Sequence, residues 1–186
     1  MKCRYENRTD FTTNRCGVCI AMNIRPANPS DFEEIAAIHI QSWQDTYADD
    51  LPVEFIAKKI EQVLTQHWQS IEIQDDDIVL VAEQDEIIGF AAVWCRPKPY
   101  IDNLHVRPSQ RSKRTGAALM RTLAEILLDN NHKTAYLYVF ESNAKAIRFY
   151  ERLGGIQKEK FYNDIFGYSV LSRRIVWDDI SVIVQD

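Results

Sequence analysis

The stretch Tyr100-Ile-Asp-Asn-Leu-His-Val-Arg-Pro-Ser-Gln-Arg-Ser-Lys-Arg-Thr-Gly-Ala-Ala-Leu-Met120 decides how the rest of the chain is read. Tyr100 to Val106 is short, alternating and rich in β-formers, with Ile101, Leu104 and Val106 apolar, which predicts a strand. Pro108 lacks the donor needed to extend a ladder and closes it. Four basic side chains follow closely (Arg107, Arg111, Lys113 and Arg114), then Thr115-Gly116-Ala117-Ala118, a small-residue entry into a helix. A helix start offers unpaired N–H groups and the positive end of its dipole, so strand, basic loop and helix in this order form a place for phosphate. An ordinary solvated basic loop leading into a core helix has the same local signature, and both readings stand at this point.

Working outward, the 186 residues carry a net charge of −5 and are 46% apolar, enough for one domain with a full core. The acidic balance argues against a nucleic-acid surface and makes the basic cluster at 107–114 a site for a small local anion. No apolar run approaches the roughly 20 residues that span a bilayer, and the first 22 residues lack the apolar centre of a secretory signal. No membrane association and a cytoplasmic location are therefore expected. Cys16-Gly-Val-Cys19 has C-x-x-C spacing, but no second pair follows and His39 stands at the wrong distance for zinc, so no metal is expected. Residues 1–22 read as a loosely ordered extension.

Downstream, a short strand at Asn23–Arg25 precedes a helix opened by Ser30 as N-cap with Glu33 completing a capping box. Phe32, Ile35, Ile38, His39 and Trp43 form its apolar face, and His39 there reads as a satisfied core histidine. A second helix runs from Val53 to about Trp68. Asp75-Asp76-Asp77 reads as a solvated turn, before a hairpin at Ile78–Ala82 and Ile87–Trp94. Beyond the opening stretch the helix continues to about Leu128, and Thr134–Phe140 is a strand. Ser142 or Asn143 caps a fourth helix that Gly154-Gly155 stops, and two strands finish the chain, near 156–162 and 168–177. The expected fold is α/β (α+β): one mixed, mostly antiparallel sheet of about seven strands, a central parallel strand–helix–strand crossover from 100 to 140, and helices on both faces.

This order and its motifs resemble the GNAT superfamily of acyl-CoA-dependent N-acetyltransferases. The segment Leu104–Met120 is similar to the family's strand-to-helix motif, whose loop reads Q/R-x-x-G-x-G/A. Asn143-Ala-Lys-Ala-Ile-Arg-Phe-Tyr-Glu-Arg-Leu-Gly-Gly155 looks like the family's N-x-x-A-I-x-F-Y-E-x-x-G-F, with Gly155 in the last place. Ile24-Arg-Pro-Ala27 with Asp31, Ala37 and Trp43 completes a likeness covering about residues 23–177 and implying an N-acetyltransferase domain over 23–186. Arg114 departs from the pattern: it occupies the first small position of the loop. A side chain there takes room, and positive φ would cost it about 1–2 kcal/mol. An arginine can also hold a phosphate itself.

The resemblance implies acetyl-CoA as co-substrate and no metal. The backbone of Arg111, Ser112, Lys113, Arg114, Thr115, Gly116 and Ala117 would hold its pyrophosphate. Leu104, His105 and Val106 would hold the pantetheine arm, and Asn143 and Tyr150 would complete the cofactor site. Tyr150 would also supply a proton to the departing thiolate. A lysine-like acceptor is uncharged in roughly one molecule in 10³ at pH 7, so a base is useful. Asp102 is the assigned base, on the face of Leu104 by strand alternation, with His105 next by chemistry but on the opposite face.

The resemblance also places the acceptor near Trp43, Tyr47, Asp45, Asp49, Glu54, Tyr162 and Tyr168, which would suit a small-molecule or peptide amine. The function implied is acetyl transfer from acetyl-CoA to a primary amine. The alternative, motivated by Arg114, is an acyl-CoA-binding or regulatory module with little turnover. The aromatic tail leaves a homodimer open, and no nucleic-acid partner is expected.

Overall fold

Alternating β-branched and aromatic runs become strands because each can bury one face or both against a helix layer. A computed structural model describes residues 8–13 and 19–185. Eight strands form one sheet: β1 (Arg8–Thr13), β2 (Cys19–Pro26), β3 (Ile78–Glu83), β4 (Ile87–Cys95), β5 (Pro99–Val106), β6 (Ala135–Phe140), β7 (Ile156–Ile165) and β8 (Tyr168–Trp177). Their spatial order is β1-β2-β3-β4-β5-β6-β8-β7. Every neighbouring pair is antiparallel except β5–β6, the pair joined through a helix. Strands β2 to β8 are the seven expected. The eighth, β1, pairs with β2 and comes from the segment read as an extension, of which residues 1–7 and 14–18, with Cys16, lie outside the described residues.

Four α-helices cover the two faces: α1 (Phe32–Thr46), α2 (Ile60–Ser70), α3 (Thr115–Asp129) and α4 (Ala144–Arg152). Leu119, Met120, Leu123 and Leu127 of α3, with Ile147 and Tyr150 of α4, pack against Leu80, Ala91, Ile101, Leu137 and Ile175 on one face. Ile35 and Ile38 of α1 and Trp68 of α2 pack against Val79, Val81, Phe90 and Ala92 on the other.

Three local expectations change. The turn into α1 is a short 3₁₀ segment, Pro29–Asp31, and Asp31 rather than Ser30 organises it. The Asp31 carboxylate accepts from the Asn28 backbone N–H at 2.7 Å and from both terminal nitrogens of Arg25 at 2.7 and 3.1 Å. A fixed carboxylate with a bidentate arginine outweighs a free hydroxyl as the anchor. The second helix opens with a π-turn at Phe55–Lys59, immediately before α2. Asp77 is not solvated: its side chain is 1% exposed, ion-paired to Arg96, and accepts the Cys95 N–H at 3.0 Å.

The feature that positions the site is the β5–β6 pair. The two parallel strands are in register only at Tyr100 and Tyr136 and then diverge, while β5 stays paired with β4 out to Val106. Beyond Tyr100 the β6-facing edge of β5 has no strand partner among the described residues. The sheet opens there into a V.

Candidate active site

A cleft of about 970 Å³ fills this V. Leu104, His105 and Val106 of β5 line one wall, Tyr138 and Val139 of β6 the other, and the starts of α3 and α4 close its ends. Its volume is at the upper end for small-molecule sites.

At the α3 end, no side chain caps the helix, so its first N–H groups remain available. Arg111, Ser112, Arg114, Gly116 and Ala117 line the cleft here. Arg114 takes φ 67°, a left-handed conformation at the loop position where the resemblance expects a small residue, and Ser112 two residues earlier takes φ 63°. The loop thus follows a glycine-like path with side chains in place of hydrogens. Two expected residues do not line the cleft: Lys113 is exposed, and Thr115 is buried at 2% exposure with its side chain in the interior.

At the α4 end, Asn143 Oδ1 accepts the Ala146 N–H at 3.1 Å, making Asn143 the N-cap. Tyr150 lies two turns further on, 9% exposed, and lines the cleft. Burial, with Tyr47 adding a smaller push, raises its phenol above the usual range, so at neutral pH it keeps its proton. Gly154 at φ 79° ends the helix, and the Gly155 N–H returns to the Tyr150 carbonyl at 2.9 Å. Gly155 has a packing reason: an added Cβ would lie 2.8 Å from the Tyr150 oxygen and 2.9 Å from Trp177. Trp177 occupies that space and donates its Nε1–H to the Leu153 carbonyl at 2.8 Å.

Asp102 sits where alternation along β5 breaks. The β4 register steps from Ala92–Asn103 to Val93–Ile101, leaving Asp102 as a bulge without a β4 partner. Ile101 and Leu104 consequently face the same core, and Asp102 does not simply share the face of Leu104. Asp102 Oδ2 accepts from Trp94 Nε1 at 2.9 Å and from Asn103 Nδ2 at 2.8 Å, and Trp94 packs toward the α1 side. Tyr100 stands beside it, its phenol pushed up by burial and then by the Asp102 charge.

His105 faces the α1 side, as alternation predicts. Its Nδ1 pairs with Ser42 Oγ at 2.8 Å, and its ring lies 4.5 Å from that of His39. Burial, reinforced by Arg111, pushes the His105 imidazole down to about 3, so it is neutral at pH 7. His39 is also held neutral, by burial first, and its Nδ1 accepts the Trp68 Nε1–H at 3.1 Å. It is the satisfied core histidine its position suggested.

A second cavity, about 280 Å³, lies on the α1–α2 side. Trp43, Phe140 and Phe166 line it, and Tyr47, Asp102, His105 and Tyr138 line both it and the cleft. These four form the partition between the two spaces. Of the residues expected around an acceptor, Trp43 and Tyr47 are here. Asp45 and Asp49 line the cleft instead, while Glu54, Tyr162 and Tyr168 line neither. Tyr138 escaped the sequence reading, although the parity of β6 separates Tyr136 and Tyr138 from Leu137 and Val139. Phe166 had no sequence signal, since its place depends on how the β7–β8 turn folds back onto α1.

Comparison with known proteins agrees with this geometry. Residues 34–155 match the model of the acetyltransferase (GNAT) family. The chain is 23% identical over 170 residues to the uncharacterized N-acetyltransferase YuaI of Bacillus subtilis, spanning 87% of this chain and 96% of that one. It is 30% identical over 138 residues to an uncharacterized N-acetyltransferase of Archaeoglobus fulgidus, covering 69% of this chain and 89% of that one. Among solved structures, PaiA N-acetyltransferase from Thermoplasma acidophilum, in complex with coenzyme A, superposes with a TM-score of 0.62 at 23% identity, over 82% of this chain and 97% of that one. With the sheet, the V between β5 and β6 and the α3 and α4 motifs in place, the chain belongs to the GNAT family of N-acetyltransferases.

Proposed function

We propose that the protein transfers an acetyl group from acetyl-CoA to a primary amine, with residues 23–186 as the transferase domain and residues 1–22 as an extension to it. The observation that carries this reading is that one cleft brings together an unpartnered strand edge, an uncapped helix start with Arg111 and Arg114, and the buried phenol of Tyr150. The residues fit the co-substrate. An extended arm rich in amides suits the open edge of β5 at Leu104–Val106, by the logic of strand addition. A pyrophosphate suits the N–H groups of residues 111–117 and the two guanidinium groups. Left-handed backbone at Ser112 and Arg114 keeps the path that a glycine loop would follow. Coenzyme A and acetyl-CoA appear in the solved structures of PaiA and of YncA from Salmonella typhimurium, the latter superposing with a TM-score of 0.60 at 18% identity.

Bound acetyl-CoA would supply the thioester. The chain's residues handle two protons. Asp102, oriented by Trp94 and Asn103 and lining both spaces, takes the proton lost by the attacking amine. Tyr150, which lines the cleft with its proton in place, would donate that proton to the thiolate that leaves once the amine has added to the thioester carbonyl. His105 is the weaker base candidate, because its Nδ1 is already paired with Ser42 Oγ at 2.8 Å and its ring faces the α1 side.

Two measurements test this reading. Acetyl-CoA should raise the melting temperature, and no shift at millimolar concentration would remove the cofactor assignment. Thiol release with a panel of amines should then show turnover. Stabilisation by acetyl-CoA with no thiol released from any amine would favour a binding module.

A further inference from the structure

The smaller cavity tells which amines can enter. It is walled by aromatic rings, with Trp43, Phe140 and Phe166 on the α1 side and Tyr138 at the partition. Its charged side chains are Asp102 and Asp164, both acidic, and among the described lining residues none is lysine or arginine. Three histidines complete the lining: His67 of α2, and the pair His39 and His105, which burial holds neutral. At about 280 Å³ the space lies just below the range of drug-sized sites.

Phe166, 46% exposed, lines one side in an unusual way. It holds φ 54°, rarely adopted by a bulky residue, at the turn between β7 and β8. Its ring sits 5.5 Å from Trp43 of α1 and 5.6 Å from Phe55 of the π-turn before α2, contacts that hold the β7–β8 turn against both. Strained backbone of this kind persists where the surroundings impose it, often beside a ligand.

Resting on the transferase reading above, we infer that the acceptor is a small amine bearing no carboxylate, held by aromatic faces and Asp102, and that free α-amino acids are rejected. The ammonium form is attracted to aromatic faces and to the two aspartates on entry. A carboxylate next to the amine would lose its hydration against apolar rings and aspartate, with no lysine or arginine in the lining to receive it. Missing partners for a buried polar group give strong discrimination, stronger than a difference in hydrocarbon size.

The experiment compares matched pairs differing only by the carboxylate: phenethylamine with phenylalanine, 1,5-diaminopentane with lysine, agmatine with arginine. The full chain is assayed with acetyl-CoA by thiol release at about pH 8.5, where ordinary imidazoles are uncharged. The carboxylate-free member should have kcat/KM higher by about 100-fold or more in at least one pair. Equal rates, or preference for the amino acid in all pairs, would overturn the inference. If no pair turns over, calorimetric titration of the same pairs into the CoA-saturated protein separates the two readings. Binding of the amine alone would keep the inference and remove the transferase reading, whereas no preference would overturn the inference. A Phe166→Arg variant adds a cation at the cavity wall and should narrow the ratio at least about tenfold. An unchanged ratio would place the discrimination elsewhere and overturn the assignment.

Discussion

The two cavities that meet at Asp102, His105, Tyr47 and Tyr138 are built on different principles. The cleft is mostly backbone: an open strand edge, an uncapped helix start and a capped one, drawn largely from residues 102–117 and 138–153. The smaller cavity is mostly side chains, drawn from α1, α2, β5, β6 and the β7–β8 turn. A backbone site depends on local conformation and tolerates side-chain change, which is how Arg114 can stand in the first small position of the loop. A side-chain site depends on which distant rings meet, and each ring is a separate determinant.

The largest effect expected from this contrast is at Tyr150, where a side chain acts inside the backbone-built cleft. Tyr150→Phe keeps the ring and its packing, so acetyl-CoA should still raise the melting temperature, while kcat falls about 100-fold or more. Full activity in thiol release would show that the cleft works through its backbone alone.

Gly155→Ala tests whether the α4 end is as tightly set as it looks. The added carbon meets the Tyr150 carbonyl and Trp177 within 3 Å, so a loss of about 2–3 kcal/mol is expected in urea unfolding. A loss below about 0.5 kcal/mol would mean this corner gives way easily.

His105 at the partition and His39 beside it set a pH dependence. Their pKa is low when folded and ordinary when unfolded, so the unfolded chain takes up the protons as pH falls below about 6.5. Stability therefore falls from there toward about pH 3 for His105, by about 1.4 kcal/mol per pH unit for each histidine. Between pH 7 and pH 5, His105 alone accounts for about 2 kcal/mol, and a His105→Gln variant should show a visibly shallower slope in urea melts. An unchanged slope would mean that His105 is solvated.

The smallest effect is expected at Arg114. Arg114→Gly relieves the left-handed backbone but frees the unfolded chain, for a net gain of about 0–1 kcal/mol. The same change should weaken acetyl-CoA binding by up to about tenfold if the guanidinium holds phosphate. Unchanged affinity in a calorimetric titration would leave the pyrophosphate to the backbone and Arg111.

Much of the fold was legible because its elements announce themselves locally. Strand β5 alternates, Pro108 ends it, and α4 carries its own cap and stop in Asn143 and Gly154, so the cofactor side could be traced to numbered residues. Where reading failed, a partner distant in sequence had outweighed a local signal. Arg25 made Asp31 the anchor of α1 in place of Ser30, and Arg96 with the Cys95 N–H drew Asp77 out of solvent. A single-residue bulge moved Asp102 off the face that counting by two assigned it.

The amino-acid order by itself determined seven of the eight described strands, the ends of α4, the basic loop and the Asn143–Tyr150 spacing, because these rest on neighbours within a few turns. Only the tertiary structure decided that β5 and β6 part after Tyr100, that Trp177 fills the space beside Gly155, and that Phe166 folds back onto Trp43. Those outcomes depend on packing between residues more than 20 positions apart, where several arrangements satisfy the same local pattern and burial selects one.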